Sequence, residues 1–333
     1  MLAENPYIKQ YPEMMSGKTL LYCHGFASSG QSGTVTRLRE VMPNTRVIAP
    51  DLPVHPQEAI ALLHRICDEE QPDLIIGTSM GGMYAEQLYG FDRILVNPAL
   101  QIADTMQEHG LTGKQTFFNP RQDGVQEFYV DKPLVKRYRE VSEQRFNGVD
   151  EQERKRVWGL FGDRDDLVHT YDLFLEHYPQ AVRFHGEHRI DDHAFYHAIV
   201  PVVRWIDDRQ EHREREIVYI GWETMHDDYG KAVSSLRKAF FRLIEKYQVY
   251  LVCPASATHP AQMAEMQTWV ADQLDAPAHN HIIFTNRRDL LYGDFLVGSP
   301  QDDNFTGTLL EFGSDEMKTW EHIIEFFERL AGS

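Results

Sequence analysis

A chain of 333 residues is longer than a single hydrophobic core usually supports, so two domains are expected. Its formal net charge of −18 argues against a nucleic-acid backbone or an anionic membrane as the main partner. Three widely spaced cysteines (Cys23, Cys67 and Cys253), no signal-peptide pattern in residues 1–18 and no apolar run near the roughly 20 residues that span a bilayer favour a soluble cytoplasmic protein without disulfides.

The first two-thirds of the chain alternates short apolar runs with helical patterns. This alternation predicts an α/β domain over residues 1–208, with a parallel sheet covered by helices. The candidate strands are 19–23, 46–50, 73–77, 93–97, 156–162 and 181–185. Residues 99–155 are charged and aromatic and too long for a simple crossover. We call them the lid segment, because they are predicted to form a lid of helices over a functional site.

Ser79 follows the third predicted strand and is flanked by Gly77 and Gly81 at positions minus two and plus two. In a nucleophile elbow these positions are small because the strand and the next helix approach closely. The turn would aim the serine hydroxyl above the sheet and leave the Met80 amide facing a developing oxyanion. The alternative is that Ser79 is merely a small residue in a tight turn.

A second oxyanion donor is predicted in the loop after the first strand. There the sequence "YCHGFASSG" places a His-Gly pair at the strand end, and Phe26 would present its backbone amide. Taken alone, His24-Gly25 also fits an ordinary turn at the end of a strand.

An acid and a base are predicted after the later strands of the same domain. "GDRDDLV" offers three acids, Asp163, Asp165 and Asp166, and the spacing from Gly162 favours Asp165 with an apolar pair behind it. "FHGEHRIDDHAFYHA" offers four bases. His193 is favoured because it directly precedes the last helix, and His188 is the second candidate; the remaining two are His185 and His197.

The order Ser79, Asp165, His193 is that of α/β-hydrolases. It predicts that His193 deprotonates Ser79, that Asp165 orients the imidazole, and that water resolves an acyl-enzyme.

The stretches "LLYCHGFASSGQSGT", "IIGTSMGGMYA", "ILVNPAL" and "DDHAF" resemble the small bacterial YqiA-type esterases of the α/β-hydrolase superfamily over about residues 18–207. The resemblance implies hydrolysis of a small-molecule carboxylic ester, with a short acyl chain expected, and no cofactor. The lid segment is longer than in the small members of that family, so their substrate preference does not transfer.

A charged run, "IDDRQEHRERE", predicts a linker at residues 209–215. A smaller, Rossmann-like α/β domain is predicted after it, over residues 216–333, with strands at 217–221, 249–253, 281–285, 293–298 and 307–312. The spacing of its last apolar stripe predicts a helix that packs through Met317, Trp320, Ile323, Ile324, Phe327 and Leu330.

"IVYIGWETMHDDYG", "RRDLLYGDFLVGSPQDD" and "LLEFGSDEMKTWEHIIEFFERL" resemble haloacid-dehalogenase-like phosphatases, specifically 5′(3′)-deoxyribonucleotidases, over about residues 216–331. Such enzymes use two aspartates, a hydroxyl, a lysine and an acidic pair around Mg²⁺. The matching positions here are Gly221 and Glu223, Cys253 or Pro254, Arg288, and Gly298-Ser299, with Asp294 remaining nearby.

The loss of these groups implies a pseudo-phosphatase domain without catalysis, and three roles stay open for it: shaping or covering the esterase site, binding a ligand, or mediating homo-oligomerisation. Two other functions stay open from the sequence alone. One is a non-enzymatic binding protein, and the other is a nucleotide phosphatase that acts through the C-terminal domain.

Overall fold

The computed structural model describes residues 8–278, 280–302 and 304–331. The outermost ends of both predicted domains, and part of the stretch on which the signal-peptide prediction depends, lie outside these residues. The chain divides into two compact units between Asp207 and Asp208. The predicted linker at 209–215 begins inside a helix that continues to Gln210.

The first unit contains a six-stranded parallel sheet in the order β2-β1-β3-β4-β7-β8, together with a separate antiparallel pair, β5-β6. All six predicted sheet strands are present. The eight strands are β1 (Thr19–Cys23), β2 (Arg46–Ile48), β3 (Leu74–Thr78), β4 (Arg93–Val96), β5 (Gly113–Thr116), β6 (Glu127–Val130), β7 (Val157–Gly162) and β8 (Ala181–Phe184). The central strands β3 and β4 are almost wholly buried, as the continuous apolar runs of a parallel sheet covered on both faces require.

Nine helices belong to this part of the chain. They are α1 (Gly33–Val41), α2 (Pro56–Glu70), α3 (Met80–Glu86), α4 (Ile102–Glu108), α5 (Lys132–Ser142), α6 (Glu153–Arg156), α7 (Tyr171–Leu175), α8 (Asp192–Ala194) and α9 (Val200–Gln210). A π-helical turn, Phe195–Ile199, joins α8 to α9. Within the described parts of the chain, every helix is too short or too polar to traverse a lipid bilayer.

The lid segment is a mixed structure, which corrects the prediction of a lid made of helices. It contains α4, the antiparallel hairpin β5-β6 and α5. The hairpin packs through Phe128, whose ring lies 5.4 Å from that of Phe26 and 4.6 Å from that of Phe117. β5 is polar and half exposed, whereas β6 is apolar over residues 128–130; each has only four residues, so neither carries a strong strand pattern by itself.

A buried ion pair fixes the end of the lid segment. Arg93, at the start of β4, is fully buried and donates to the Glu153 carboxylate and to the carbonyl oxygens of Ala85 and Glu86. Glu153 also accepts the Gly90 amide at 2.8 Å. The first turn of α6 is therefore held against the connection between α3 and β4.

The second unit contains a five-stranded parallel sheet in the order β11-β10-β9-β12-β13. All five predicted strands are present, and the first of them is central, the doubly wound 3-2-1-4-5 order of Rossmann-like sheets. Its elements are β9 (Ile217–Gly221), β10 (Gln248–Cys253), β11 (Ile282–Phe284), β12 (Phe295–Gly298), β13 (Thr308–Glu311), α10 (Leu236–Leu243), α11 (Pro260–Leu274) and α12 (Trp320–Ala331).

The last helix packs largely as its apolar spacing predicts. Its buried side chains are Trp320, Ile323, Ile324 and Phe327. Leu330, predicted to extend this stripe, is 40% exposed, because the helix has by then passed the edge of the core.

Candidate active site

Ser79 lies at the turn between β3 and α3 in a strained backbone conformation. Its φ of +54° and ψ of −118° are rare for a residue with a side chain. A Cβ atom at Gly81 would lie 2.0 Å from the Cys23 carbonyl oxygen, and one at Gly77 would lie 2.4 Å from the Gly81 carbonyl oxygen. Both flanking glycines are thus required by the close approach of the helix to the sheet.

Ser79 Oγ forms a hydrogen bond with the imidazole of His188. The distance from His188 Nε2 to Ser79 Oγ is 2.9 Å, and His188 Nδ1 lies 2.8 Å from Asp165 Oδ2. With a neutral imidazole, the proton on Nδ1 is donated to the carboxylate, and Nε2 presents its lone pair to the serine hydroxyl. This is the hydrogen-bond pattern of a serine, base and acid acting in sequence.

The prediction of His193 as the base is wrong in this geometry. His193 lies in α8, where its Nε2 is 3.4 Å from Nδ1 of His197. The loop after β8 turns back over Ser79 before α8 begins, so the histidine four residues beyond the strand end reaches the hydroxyl. The prediction took the histidine next to the last helix, which is five residues beyond the histidine that contacts Ser79.

Of the three candidate acids, Asp165 is the one whose carboxylate faces His188. Its side chain is 4% exposed, and Oδ1 accepts the amides of Leu167 at 2.8 Å and Val168 at 3.0 Å. Burial by itself raises the pKa of this carboxyl. The hydrogen bond and charge of His188, together with the two amides, outweigh burial and bring the pKa below its ordinary value. The carboxylate is therefore ionised at neutral pH.

Asp163 has a different partner. It accepts from His185 Nδ1 at 2.6 Å and from the Gly186 amide at 3.0 Å. Burial raises the pKa of Asp163, but these bonds bring it below its ordinary value. The pair ties the end of β8 to the loop after β7 and leaves Asp165 free to face His188.

Asn97 connects the loop that carries the base with the loop that carries the acid. Its Nδ2 donates to the carbonyl oxygens of Glu187 at 3.0 Å and His188 at 3.1 Å, and its Oδ1 accepts the Gly162 amide at 2.7 Å. The side chain is buried, and the backbone φ is +44°, a region that asparagine tolerates better than most residues. Sequence reasoning quoted the "NPAL" motif but assigned Asn97 no role.

The loop after β1 lies against the serine. A Cβ at Gly25 would be 3.4 Å from Ser79 Cβ and 3.9 Å from Ser79 Oγ. His24 Nε2 accepts the Leu52 amide at 2.9 Å, and its Nδ1 lies 2.8 Å from the Gly25 carbonyl oxygen. Burial lowers the pKa of His24 to about 4, so this neutral imidazole shapes the loop. Of the two predicted amide donors, Phe26 lines the same cavity as Ser79, and Met80 follows Ser79 as the first residue of α3.

A cavity of about 670 Å³ opens over Ser79 and His188, within the usual size of small-molecule sites. Its lining includes apolar side chains, those of Phe26, Ile102, Leu111, Phe118 and Leu167. Another wall carries hydroxyl groups and a guanidinium, from Tyr22, Ser32, Thr34, Thr78 and Arg37. Around Ser79 the described residues bring together no group of three histidine, cysteine or acidic side chains suited to a metal ion.

The corresponding edge of the second sheet is occupied by an ion network. Arg288 Nη1 donates to Glu223 Oε1 at 2.7 Å and to Asp302 Oδ2 at 2.8 Å, and Nη2 donates to Glu223 Oε2 at 2.6 Å. A Cβ at Gly221 would lie 2.4 Å from Glu223 Oε1 and 2.9 Å from Arg288 Nη1. Any side chain at Gly221 would therefore displace this network.

Cys253 and Asp294 contribute little chemistry to this edge of the second sheet. The Cys253 thiol is buried, which raises its pKa to about 12 and leaves it protonated. Asp294 precedes β12 and accepts the Ile217 amide at 2.7 Å, so it lies at the opposite end of the sheet from Arg288. It does not belong to this site, contrary to the role left open for it.

Residues 19–204, more than half of the chain, match the uncharacterised protein family UPF0227. Among solved structures, Est1E from Butyrivibrio proteoclasticus is 16% identical with a TM-score of 0.42, over 61% of this chain and 91% of its own. The methylesterase MES16 from Arabidopsis is 10% identical with a TM-score of 0.35, over 59% of this chain and 99% of its own. The esterase RhEst1 from Rhodococcus sp. ECU1013 is 15% identical with a TM-score of 0.32, over 61% of this chain and 92% of its own.

Proposed function

Because this chain belongs to the uncharacterised protein family UPF0227, whose description assigns no activity, we propose a function from the site itself. The first unit is a serine hydrolase of the α/β-hydrolase type that cleaves carboxylic esters. Ser79 is the nucleophile, His188 the general base and Asp165 the residue that orients the base. The single observation that carries this proposal is the hydrogen-bonded series from Ser79 through His188 to Asp165 at the floor of the cavity.

The reaction follows from this series. His188 Nε2 takes the proton of Ser79 as Oγ bonds to the ester carbonyl carbon, and Asp165 stabilises the resulting imidazolium. The backbone amides of Phe26 and Met80 stabilise the oxyanion. The bond from carbon to the alcohol oxygen then breaks, and the imidazolium protonates the leaving alcohol. Water, deprotonated by His188, hydrolyses the acyl-enzyme and regenerates Ser79.

Labelling with a fluorophosphonate probe tests the nucleophile directly. The wild type is expected to form one covalent adduct, located at Ser79 by peptide mass spectrometry. Ser79→Ala and His188→Ala should lose labelling, because the first lacks the nucleophile and the second leaves its hydroxyl protonated. His193→Ala is the matched control and should be labelled like the wild type. Equal labelling of Ser79→Ala and the wild type would refute the proposal.

For the second unit we propose a haloacid-dehalogenase-like domain without phosphatase activity. A side chain is absent at Gly221, where the nucleophile would stand, and the Arg288 guanidinium lies between the acidic side chains of Glu223 and Asp302. The test is release of inorganic phosphate from a deoxynucleoside monophosphate with and without Mg²⁺. Phosphate release that depends on Mg²⁺ would overturn this part of the proposal.

A further inference from the structure

The hydroxyl-lined wall of the cavity is built at the start of α1. Ser32 is the N-cap residue of this helix, and the next residues, Gly33 and Thr34, also line the cavity. The first amide groups of any helix have no partner inside the helix, and the helix dipole is positive at this end. The wall therefore presents hydrogen-bond donors to whatever occupies the cavity.

Ser32 does not cap its own helix. A serine at this position usually accepts a backbone amide one turn ahead, but the Ser32 side chain makes no such bond. The residue is 7% exposed, and among the described residues its Oγ makes no hydrogen bond of good geometry, although the Tyr22 hydroxyl lies close enough for Ser32 to oppose the rise in the pKa of that phenol. A buried hydroxyl that is left unpaired destabilises the fold. Here that hydroxyl borders the cavity, where a bound group can pair with it.

Tyr22 extends the same wall toward the nucleophile. Its hydroxyl forms a 2.9 Å hydrogen bond with Thr78 Oγ1, one residue before Ser79. Burial raises the pKa of this phenol, although nearby hydroxyls, including those of Thr34 and Ser32, oppose the rise. The phenol is therefore neutral, and the hydroxyls of Ser32, Thr34, Tyr22 and Thr78 form one group that extends from the start of α1 to the residue before Ser79.

The charges around this wall are already balanced. Arg37 Nη1 pairs with Asp192 at 2.6 Å, and its Nε lies 3.6 Å from Glu40 Oε2. Asp191 and Arg189 also line the cavity, one charge of each sign. A carboxylate or phosphate on the ligand would be repelled by the two acidic side chains, and the Arg37 guanidinium is already paired with one of them, whereas an uncharged hydroxyl can both donate to and accept from the hydroxyls of this wall.

We propose that this wall, formed by Tyr22, Ser32 and Thr34, is a subsite for an uncharged, hydroxyl-bearing group of the substrate. The apolar side chains of the cavity receive the hydrocarbon part of the same ester. This inference rests on the proposed ester hydrolysis and names its substrate class: short esters that carry a hydroxyl group close to the scissile bond. The hydroxyl can belong to the acyl chain or to the alcohol.

The test compares three 4-nitrophenyl esters with four-carbon acyl chains: butyrate, 3-hydroxybutyrate and hemisuccinate. A second pair, propyl butyrate and glycerol 1-butyrate, places the hydroxyls on the alcohol. We expect kcat/KM to be at least about tenfold higher for a hydroxylated ester than for its plain counterpart in one of the two sets, which identifies the side that carries the group. The hemisuccinate should be the poorest of the first set.

Three variants locate the preference. Ser32→Ala, Tyr22→Phe and Thr34→Val each remove one hydroxyl and should lower the ratio of hydroxylated to plain ester by about threefold to tenfold. Thr36→Val is the matched control on the exposed face of α1 and should keep the wild-type ratio. Thermal unfolding of each variant separates a loss of fold from a loss of preference.

Each result has a distinct meaning. If the wild type is labelled by fluorophosphonate but hydrolyses plain or carboxylated esters as well as hydroxylated ones, the subsite is refuted and the hydrolase stands. A preference that survives in all three variants also refutes the subsite. If Ser79 is not labelled and no ester is hydrolysed, both proposals fail together.

Discussion

The two units end their parallel sheets in contrasting ways. At the carboxyl ends of β3, β7 and β8, side chains from three loops meet around an open cavity, and Ser79 Oγ faces it. At the carboxyl ends of β9 and β12, the Arg288 guanidinium fills the space between Glu223 and Asp302. The strand arrangement of a sheet therefore provides a position for chemistry, and the side chains beyond the strand ends decide whether any chemistry occurs there.

The largest expected effect concerns the base of the first site. His188→Ala should lower kcat for a 4-nitrophenyl ester by about 10⁵-fold to 10⁶-fold, because no other group holds the proton of Ser79. His193→Ala should stay within about threefold of the wild type. Steady-state ester hydrolysis measures both. The reverse pattern would mean that the loop after β8 adopts another conformation during turnover.

The acid gives the next largest effect. Asp165→Asn should lower kcat by about 10⁴-fold, because an amide can donate to Nδ1 and so favours the unproductive tautomer of His188. Asp163→Asn keeps the His188 contact with Asp165 and should cost less than about tenfold. If Asp163→Asn abolished ester hydrolysis and Asp165→Asn kept the wild-type kcat, Asp163 and not Asp165 would be the residue that orients His188.

Asn97 should act as a positioning residue. Asn97→Gly keeps a backbone that tolerates the φ of +44° but removes the bonds to both loops. We expect kcat to fall about 10²-fold with KM little changed, because a small displacement of the base misaligns proton transfer. A merely structural role would instead lower the unfolding temperature and leave kcat of the folded protein intact.

The strands, the elbow and Asp165 could be predicted because local sequence determines them. Apolar runs of four to seven residues specify buried strands. Gly77 and Gly81 are required because α3 packs closely against the strands next to it. The position of His188 depends on hydrogen bonds from Asn97, about 90 residues earlier in the chain. The β5-β6 hairpin depends on pairing between two strands of only four residues each, separated by residues 117–126. Neither long-range contact leaves a periodic pattern in the sequence.

In the second unit, the effect should appear in stability. Arg288→Met leaves Glu223 and Asp302 facing each other without a cation, which should lower the free energy of unfolding by about 1–3 kcal/mol. Ester hydrolysis by the first unit should be unchanged. Chemical denaturation of the full chain, followed by tryptophan fluorescence, gives the first quantity. An unchanged unfolding curve would show that the network contributes nothing to the fold.

The smallest expected effect is the acid dependence of stability at Asp165. A carboxyl whose pKa is lower in the folded chain than in the unfolded chain stabilises the fold above the unfolded value, and this contribution disappears as pH falls through the folded value. The unfolding free energy of the wild type minus that of Asp165→Asn should therefore shrink between about pH 5 and pH 2. A difference that is constant over this range would contradict the lowered pKa.

The buried pair of Arg93 and Glu153 has a consequence for altering this protein. It holds the chain where the lid segment returns to the sheet, so the return does not depend on the hairpin. Phe118 and Phe128 hold the hairpin on the loop after β1, whereas residues 123–125 at its tip are exposed. Libraries that vary the length of this tip would therefore change the protein near the cavity and leave the contacts of the loop after β1 in place.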